Sequence, residues 1–267
     1  VLSALELEAD ADRIVQIVPS PVALLPFCTI VPTSSLQIPT VTNESQIDDA
    51  DFAEDGQNLP GLTGAGAGGW TVDYLEAKRV GRNIPVPLEV LDDAGQAEAI
   101  VDRLITQNFR RRLETLAVTG NITNLTGVTN TAGVATISAS GSNLVDPLAA
   151  AVADISSAGF YGPYVIAAHP LTLEAIWTQK DSADNYLRVR SALPMVQSWA
   201  PAPGLSTGTA VVGDFSELLI YLQGAFTIAI TQAYLDFLSR GMALVKGVQR
   251  AAIWVKSPGA FTIITNL

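Results

Sequence analysis

From Glu44 to Asp55 the chain carries six acids (Glu44, Asp48, Asp49, Asp51, Glu54 and Asp55) and no base, and a glycine-rich tract, Gly61 to Gly69, follows. Neither stretch offers side chains to a core, and irregular connections of this length are functional or disordered. On either side the pattern turns strand-like, at Leu36–Pro39 and again over Trp70-Thr71-Val72-Asp73-Tyr74-Leu75. Residues 40–75 therefore read as a long two-stranded excursion away from the body. The fold has to be built from what remains.

What remains is a mixture of helix and strand. Residues 1–39 open with Glu6, Glu8, Asp10 and Asp12 and continue through Pro19, Pro21, Pro26, Pro32 and Pro39, a density that forbids a helix interior and favours an extended arm. Residues 76–91 read as strand, broken by Pro85 and Pro87. A helix capped by Asp92-Asp93 follows, reaching about Ala117. Val101, Ile105, Phe109, Leu113 and Leu116 form its single apolar stripe. Arg110, Arg111 and Arg112 are expected near its C-terminal end, where cations suit the helix dipole. Residues 119–143 read as loop plus short strand. Asp146-Pro147 reads as the N-cap and first residue of a helix through Ala158. A buried strand is expected at Tyr164–Ala168, a helix from Pro170 to about Lys180, and irregular chain over Asp181–Ser206. Strands are then expected at Thr209–Val212, Leu218–Leu222, Phe226–Thr231, Ala243–Val255 and Phe261–Thr265.

Composition narrows the function. Apolar residues make up 48% of the 267 and charged ones 15%, with a mean hydropathy of +0.32. No apolar run approaches the ~18–20 residues of a membrane span, so the surplus points to contacts between subunits. With 26 acids against 15 bases and a pI of about 4.4, the chain lacks the basic footprint of sequence-directed DNA binding. A weakly repelling inner wall suits a DNA container. One cysteine, Cys28, excludes an intramolecular disulfide and reads as a small core residue.

Chemistry has little to stand on, and no catalytic, cofactor-binding or metal-binding residue is assigned. Gly64-Ala65-Gly66-Ala67-Gly68-Gly69 matches G-x-G-x-x-G, but acids precede it and strand-like sequence follows, where a dinucleotide site needs a strand before and a helix after. The cluster Asp48, Asp49, Asp51, Glu54 and Asp55 lacks the spacing of a calcium loop and reads as a solvated face. His169 is the only histidine. It stands beside Pro170, where capping suffices, and no G-x-S-x-G elbow accompanies it. Asn43-Glu44-Ser45 and Asn121-Ile122-Thr123 match the glycosylation sequon, but nothing indicates secretion.

Several motifs, in order, resemble the HK97-like major capsid proteins of tailed bacteriophages. Leu125-Thr126-Gly127-Val128 is similar to the turn after that family's spine helix. Val165-Ile166-Ala167-Ala168-His169-Pro170, continuing to Ile176, resembles its strand, N-P and short helix. Lys180-Asp181 with Asn185-Tyr186-Leu187 looks like its K-D-x-x-G-x-Y-L, with Asp184 or Asn185 in place of the glycine. Val211-Val212-Gly213-Asp214-Phe215-Ser216 matches its G-D-F turn, and Ala243–Lys256 with Pro258-Gly259-Ala260-Phe261 its closing strand and P-x-A-F. The resemblance implies an α+β HK97-like capsid fold: an N-terminal arm (1–39), an extended E-loop (40–75), a P-domain with spine helix and sheet (76–119 and 226–267) and an A-domain (120–225). It further implies a structural protein, not an enzyme, that self-assembles through pentamers and hexamers into an icosahedral virion capsid in the bacterial host cytoplasm. Its partners would be other copies, packaged double-stranded DNA without sequence-specific contacts, a portal, a scaffold and a decoration or cementing protein, with no membrane. A chain that opens without Met fits either a scaffolding segment upstream of Val1, cut away by a phage protease, or a start that is simply trimmed.

Two other readings compete. An encapsulin, a nanocompartment shell around a cargo enzyme, shares the fold but keeps an N-terminal helix facing the lumen, which the prolines after residue 18 disfavour. An α/β enzyme using the glycine-rich loop would need a dissociable cofactor. Some relatives crosslink covalently through an E-loop lysine, yet the first lysine of this chain is Lys78. Boiling mature particles in SDS should therefore release monomers of 28.1 kDa; a covalent ladder persisting under reducing conditions would contradict the non-covalent reading.

Overall fold

The computed structural model describes residues 23–42, 71–89, 97–120, 125–139, 143–180, 184–187, 189, 193–232, 237 and 239–267. The acidic start of the arm, the acidic and glycine-rich tracts, the two sequons' asparagines and the Asp92-Asp93 cap lie outside them. Two sheets and a long helix organise the rest. Helix α1 (Ala97–Thr119) buries Ile105, Phe109, Leu113 and Leu116, the described members of its stripe. It extends to Thr119, so Arg110–Arg112 precede the end by about two turns, the last turn holds no base, and the dipole expectation is corrected. Its last carbonyls are satisfied by side chains of the 3-10 turn Val128–Asn130: the Thr129 hydroxyl donates to Val118 O at 3.2 Å and the Asn130 amide to Thr119 O. Gly120, at φ +66°, turns the chain so that a Cβ there would lie 2.3 Å from Gly127 N, an approach only glycine permits.

The four-stranded sheet runs in the order β1 (Thr29–Thr33), β9 (Leu218–Thr231), β10 (Met242–Val255), β4 (Lys78–Pro87). β1 is parallel to β9, and the other pairs are antiparallel. Two expected breaks are absent. β4 continues through Pro85 and Pro87 because it is an edge strand, where a missing N–H faces no partner. β9 is one strand of 14 residues: Gly224, Ala225 and Phe226 bulge opposite Gln249, whose side-chain amide donates to Gly224 O at 2.7 Å. The antiparallel pair β2 (Gln37–Thr42) and β3 (Thr71–Glu76) flanks the segment 43–70 on both sides.

The five-stranded sheet runs β5 (Ala135–Ser138), β11 (Phe261–Thr265), β8 (Ala210–Gly213), β6 (Tyr164–Ala168), β7 (Val196–Pro201). All five residues of β6 are buried. β7 corrects the expectation of irregular chain: as an edge strand it needs only one ladder, to β6, and its mixed sequence carries no clear period. Helix α2 (Val145–Ser157) packs Leu148, Val152 and Ile155 into the core beneath this sheet. Asp146 does not cap it. The Asn143 side chain accepts from Val145 N at 3.0 Å, and Pro147 sits in the first turn, where no intrahelical partner is lost. Helix α3 (Pro170–Trp177) stops three residues before Lys180, with the Thr178 hydroxyl donating to Glu174 O at 2.8 Å.

α1 crosses the four-stranded sheet at Gly247, where a Cβ would lie 2.2 Å from Ile105 Cγ2 and 2.7 Å from Phe226 Cζ. Phe226 in turn packs on Phe109 with ring centroids 4.9 Å apart. Gly247→Leu should cost about 1–3 kcal/mol by overpacking this crossing. Urea denaturation checks this: the midpoint should fall at unchanged slope.

Candidate assembly surfaces

The arm is strapped to the body by hydrogen bonds from both main chain and side chains. Its first described residues meet α1, where the Glu114 carboxylate accepts from Ala23 N at 2.9 Å and from Leu24 N. Leu24 and Leu25 are buried beside Leu113 and Ala117. Farther on, the Thr29 hydroxyl donates to Ser216 O at 2.7 Å and the Gln223 amide to Ser34 O at 3.0 Å, while Ala77 N donates to Leu36 O at 2.9 Å. Burial raises the Glu114 carboxyl above the usual range, opposed by the two backbone donors and by Arg111. Its folded-state value thus lies above the unfolded one, so its linkage stabilises the fold in acid and loses that contribution as pH rises through the folded value. Cys28 is partly exposed as a residue, but burial around the thiol and then the Glu114 charge push it up to about 12. That thiol stays protonated at neutral pH and is a poor nucleophile.

Two of the motifs prove to be one packing unit. Gly213 leaves room for the Phe261 ring, which a Cβ would meet at 2.3 Å. Asp214 caps the turn by accepting from Ser216 N at 3.0 Å, and Phe215 and Phe261 meet edge to face at 5.3 Å, both fully buried. Asp214 N donates to Ala260 O at 3.0 Å and closes the unit. His169 caps α3, its Nδ1 accepting from Leu171 N at 3.2 Å. These residues build structure.

The clefts have apolar walls. One of about 430 Å³ lies between arm, α1, the start of α3 at Pro170 and the end of β7 with Pro203, and Glu114 and Arg111 also line it. Another, about 820 Å³, lies between Leu75, Phe160, Trp254 and Pro258. Among the described residues no group of three or more His, Cys, Asp or Glu could hold a metal, and no helix is long and apolar enough to cross a membrane. Large side chains instead stand in solvent around the five-stranded sheet: Tyr161 is 76% exposed, Tyr186 65% and Leu171 58%. Tyr161 and Met195 flank the entries of β6 and β7, joined by Tyr164 N donating to Met195 O at 3.4 Å. The sequence showed Leu171 and Tyr186 only as parts of motifs and gave no sign of Tyr161, Met195 or Glu114. Nothing in the spacing marks a carboxylate that binds a backbone 90 residues away.

Two sheets spanned by one helix, with an arm strapped along them, form the α+β architecture of the HK97-like capsid fold. The model of the phage capsid family matches residues 8–266, and the chain belongs to that family. Among solved structures it is similar to the capsid of a native GTA particle, at TM-score 0.71 and 14% identity over 93% of this chain and 91% of that one. It is similar also to a chain of Mycobacterium phage Adephagia, at TM-score 0.69 and 15% identity over 99% and 98%. A virus-like particle from Pyrococcus furiosus matches at TM-score 0.64 and 12% identity over 99% and 100%. No curated protein matches the chain.

Glu114→Leu should leave Ala23 N and Leu24 N without an acceptor and cost about 1–3 kcal/mol, whereas Glu114→Gln, which keeps an oxygen there, should cost less. Amide hydrogen exchange reads the difference. Protection at Ala23 and Leu24 should drop in the leucine variant and persist in the glutamine variant.

Proposed function

We propose that this chain builds the icosahedral capsid of a tailed-phage virion around double-stranded DNA and performs no chemistry of its own. The family match across residues 8–266 carries this reading. Net charge supports it: at −11 the chain repels DNA weakly, which suits a container and not a sequence reader. In this reading residues 1–39 are the arm, and 40–75 form the E-loop, rooted in the β2–β3 pair. Residues 76–119 and 226–267 form the peripheral region, and 120–225 the axial region that closes pentamers and hexamers. β9 runs unbroken across the division at 225, and β11 returns to the five-stranded sheet, so the two regions are stitched together at more than one point. Assembly takes place in the bacterial host cytoplasm, with scaffold, portal and a decoration or cementing protein as partners. Catalytic, cofactor and metal sites have no part in it.

An encapsulin shell around a cargo enzyme is the second reading, because it uses the same fold. Particles carrying this chain, treated with nuclease and then opened, separate the two. The phage reading expects protected double-stranded DNA of genome length. A co-purified enzyme with no protected DNA would overturn it in favour of the nanocompartment.

A further inference from the structure

Helix α1 carries a second stripe besides its apolar one. Arg103, Gln107, Arg110 and Arg111 recur at steps of four, three and one, which places them together on one side of the helix. That side turns away from the buried stripe of Ile105, Phe109 and Leu113. Arg103 and Arg110 are exposed, and Gln107 and Arg111 are half-buried. Cations on a solvated helix face are ordinarily answered by acids three or four residues away. Around Arg103 those positions hold Ala99, Ile100, Thr106 and Gln107. Around Arg110 and Arg111 the one acid is Glu114, whose carboxylate accepts from Ala23 N and Leu24 N of the arm. Glu114 feels Arg111 as the weakest of its neighbours. Among the described residues Arg103 and Arg110 enter no ion pair.

The make-up of this face selects its partner. Contacts between proteins are anchored by aromatic and apolar side chains, and these four residues include neither. Arginine and glutamine are among the side chains that hold nucleic-acid phosphates, and the guanidinium fork fits two phosphate oxygens at once. Every cation of α1 is an arginine. Seven residues separate Arg103 from Arg110, roughly 10 Å along the axis, so one helix can meet more than one phosphate of a duplex. We propose that this face of α1 binds the phosphate backbone of the enclosed double-stranded DNA without reading its sequence. The proposal rests on the shell reading and names the residues that meet the genome. The net charge of −11 keeps the wall repelling on average. An arginine face repeated in every copy gives the duplex a shallow hold at fixed intervals.

The test measures binding of the full chain to a fluorescent duplex of random sequence as salt is raised. Arg103→Gln with Arg110→Gln should weaken binding about tenfold at low salt and flatten the slope of log affinity against log salt by roughly two, since each phosphate contact contributes about 0.9. Adding Arg111→Gln should flatten it by about one more. Circular dichroism should not change. The control is Arg79→Gln with Arg250→Gln, a pair opposed on the sheet face turned away from α1, and it should keep the wild-type slope. An unaltered slope in the α1 variants overturns the proposal. Loss of the slope in the control overturns it too and assigns phosphate to the other face. A wild-type chain that binds no duplex at low salt, or that prefers one duplex sequence, also overturns it, while leaving the shell reading intact. Sedimentation of the unmodified chain is read alongside: if it forms neither capsomer nor shell, the shell reading fails and the proposal with it.

Discussion

The crossing of α1 over the four-stranded sheet is the constraint on which the rest depends. Gly247 lets the helix settle until Ile105 touches the sheet backbone, and the bulge at Gly224–Phe226 turns the Phe226 ring up against Phe109. The same helix carries Leu113, Leu116 and Ala117 into a core shared with Val165, Ala167, Val211 and Phe215 of the other half. One element thus fixes the position of both sheets. The Gly120–Gly127 approach at its end determines where the chain enters the second half. In a well-packed interior such close contacts transmit displacement instead of absorbing it. A rigid body of this kind suits a subunit that must repeat the same shape around a closed surface.

What the body leaves outside is as informative as what it buries. The arm is held at Glu114, Ser216 and Gln223, and the β2–β3 pair packs on Ala252 and Tyr221 of the four-stranded sheet. Aromatic and apolar side chains stand in solvent at Tyr161, Leu171 and Tyr186, where large rings contribute most once water is excluded. A single copy therefore has surfaces that another copy can complete. Apolar composition without a membrane-length run is the sequence-level trace of the same fact.

Much of this was legible in the sequence because it rests on local periodicity. The α1 stripe, the five apolar residues of β6 and the run of β11 announce themselves within a few residues. The G-D-F and P-x-A-F stretches were legible as motifs, and their reason is the Phe215–Phe261 contact. Elements defined by distant partners were not. β7 became a strand through β6, β4 kept its prolines because nothing pairs beyond it, and β9 stayed whole because Gln249 holds its bulge. Asp146 looked like a cap because Asp-Pro favours helix starts, yet Asn143 was already placed to accept from Val145 N. The Glu114 clamp leaves no mark on either strand or helix period, since it joins segments far apart in the chain.

Sedimentation velocity on the purified chain tests the central claim most directly. At micromolar concentration the chain should run as capsomers or as closed shells of megadalton size. A single boundary at the 28.1 kDa monomer across the full range of salt and concentration would contradict the account.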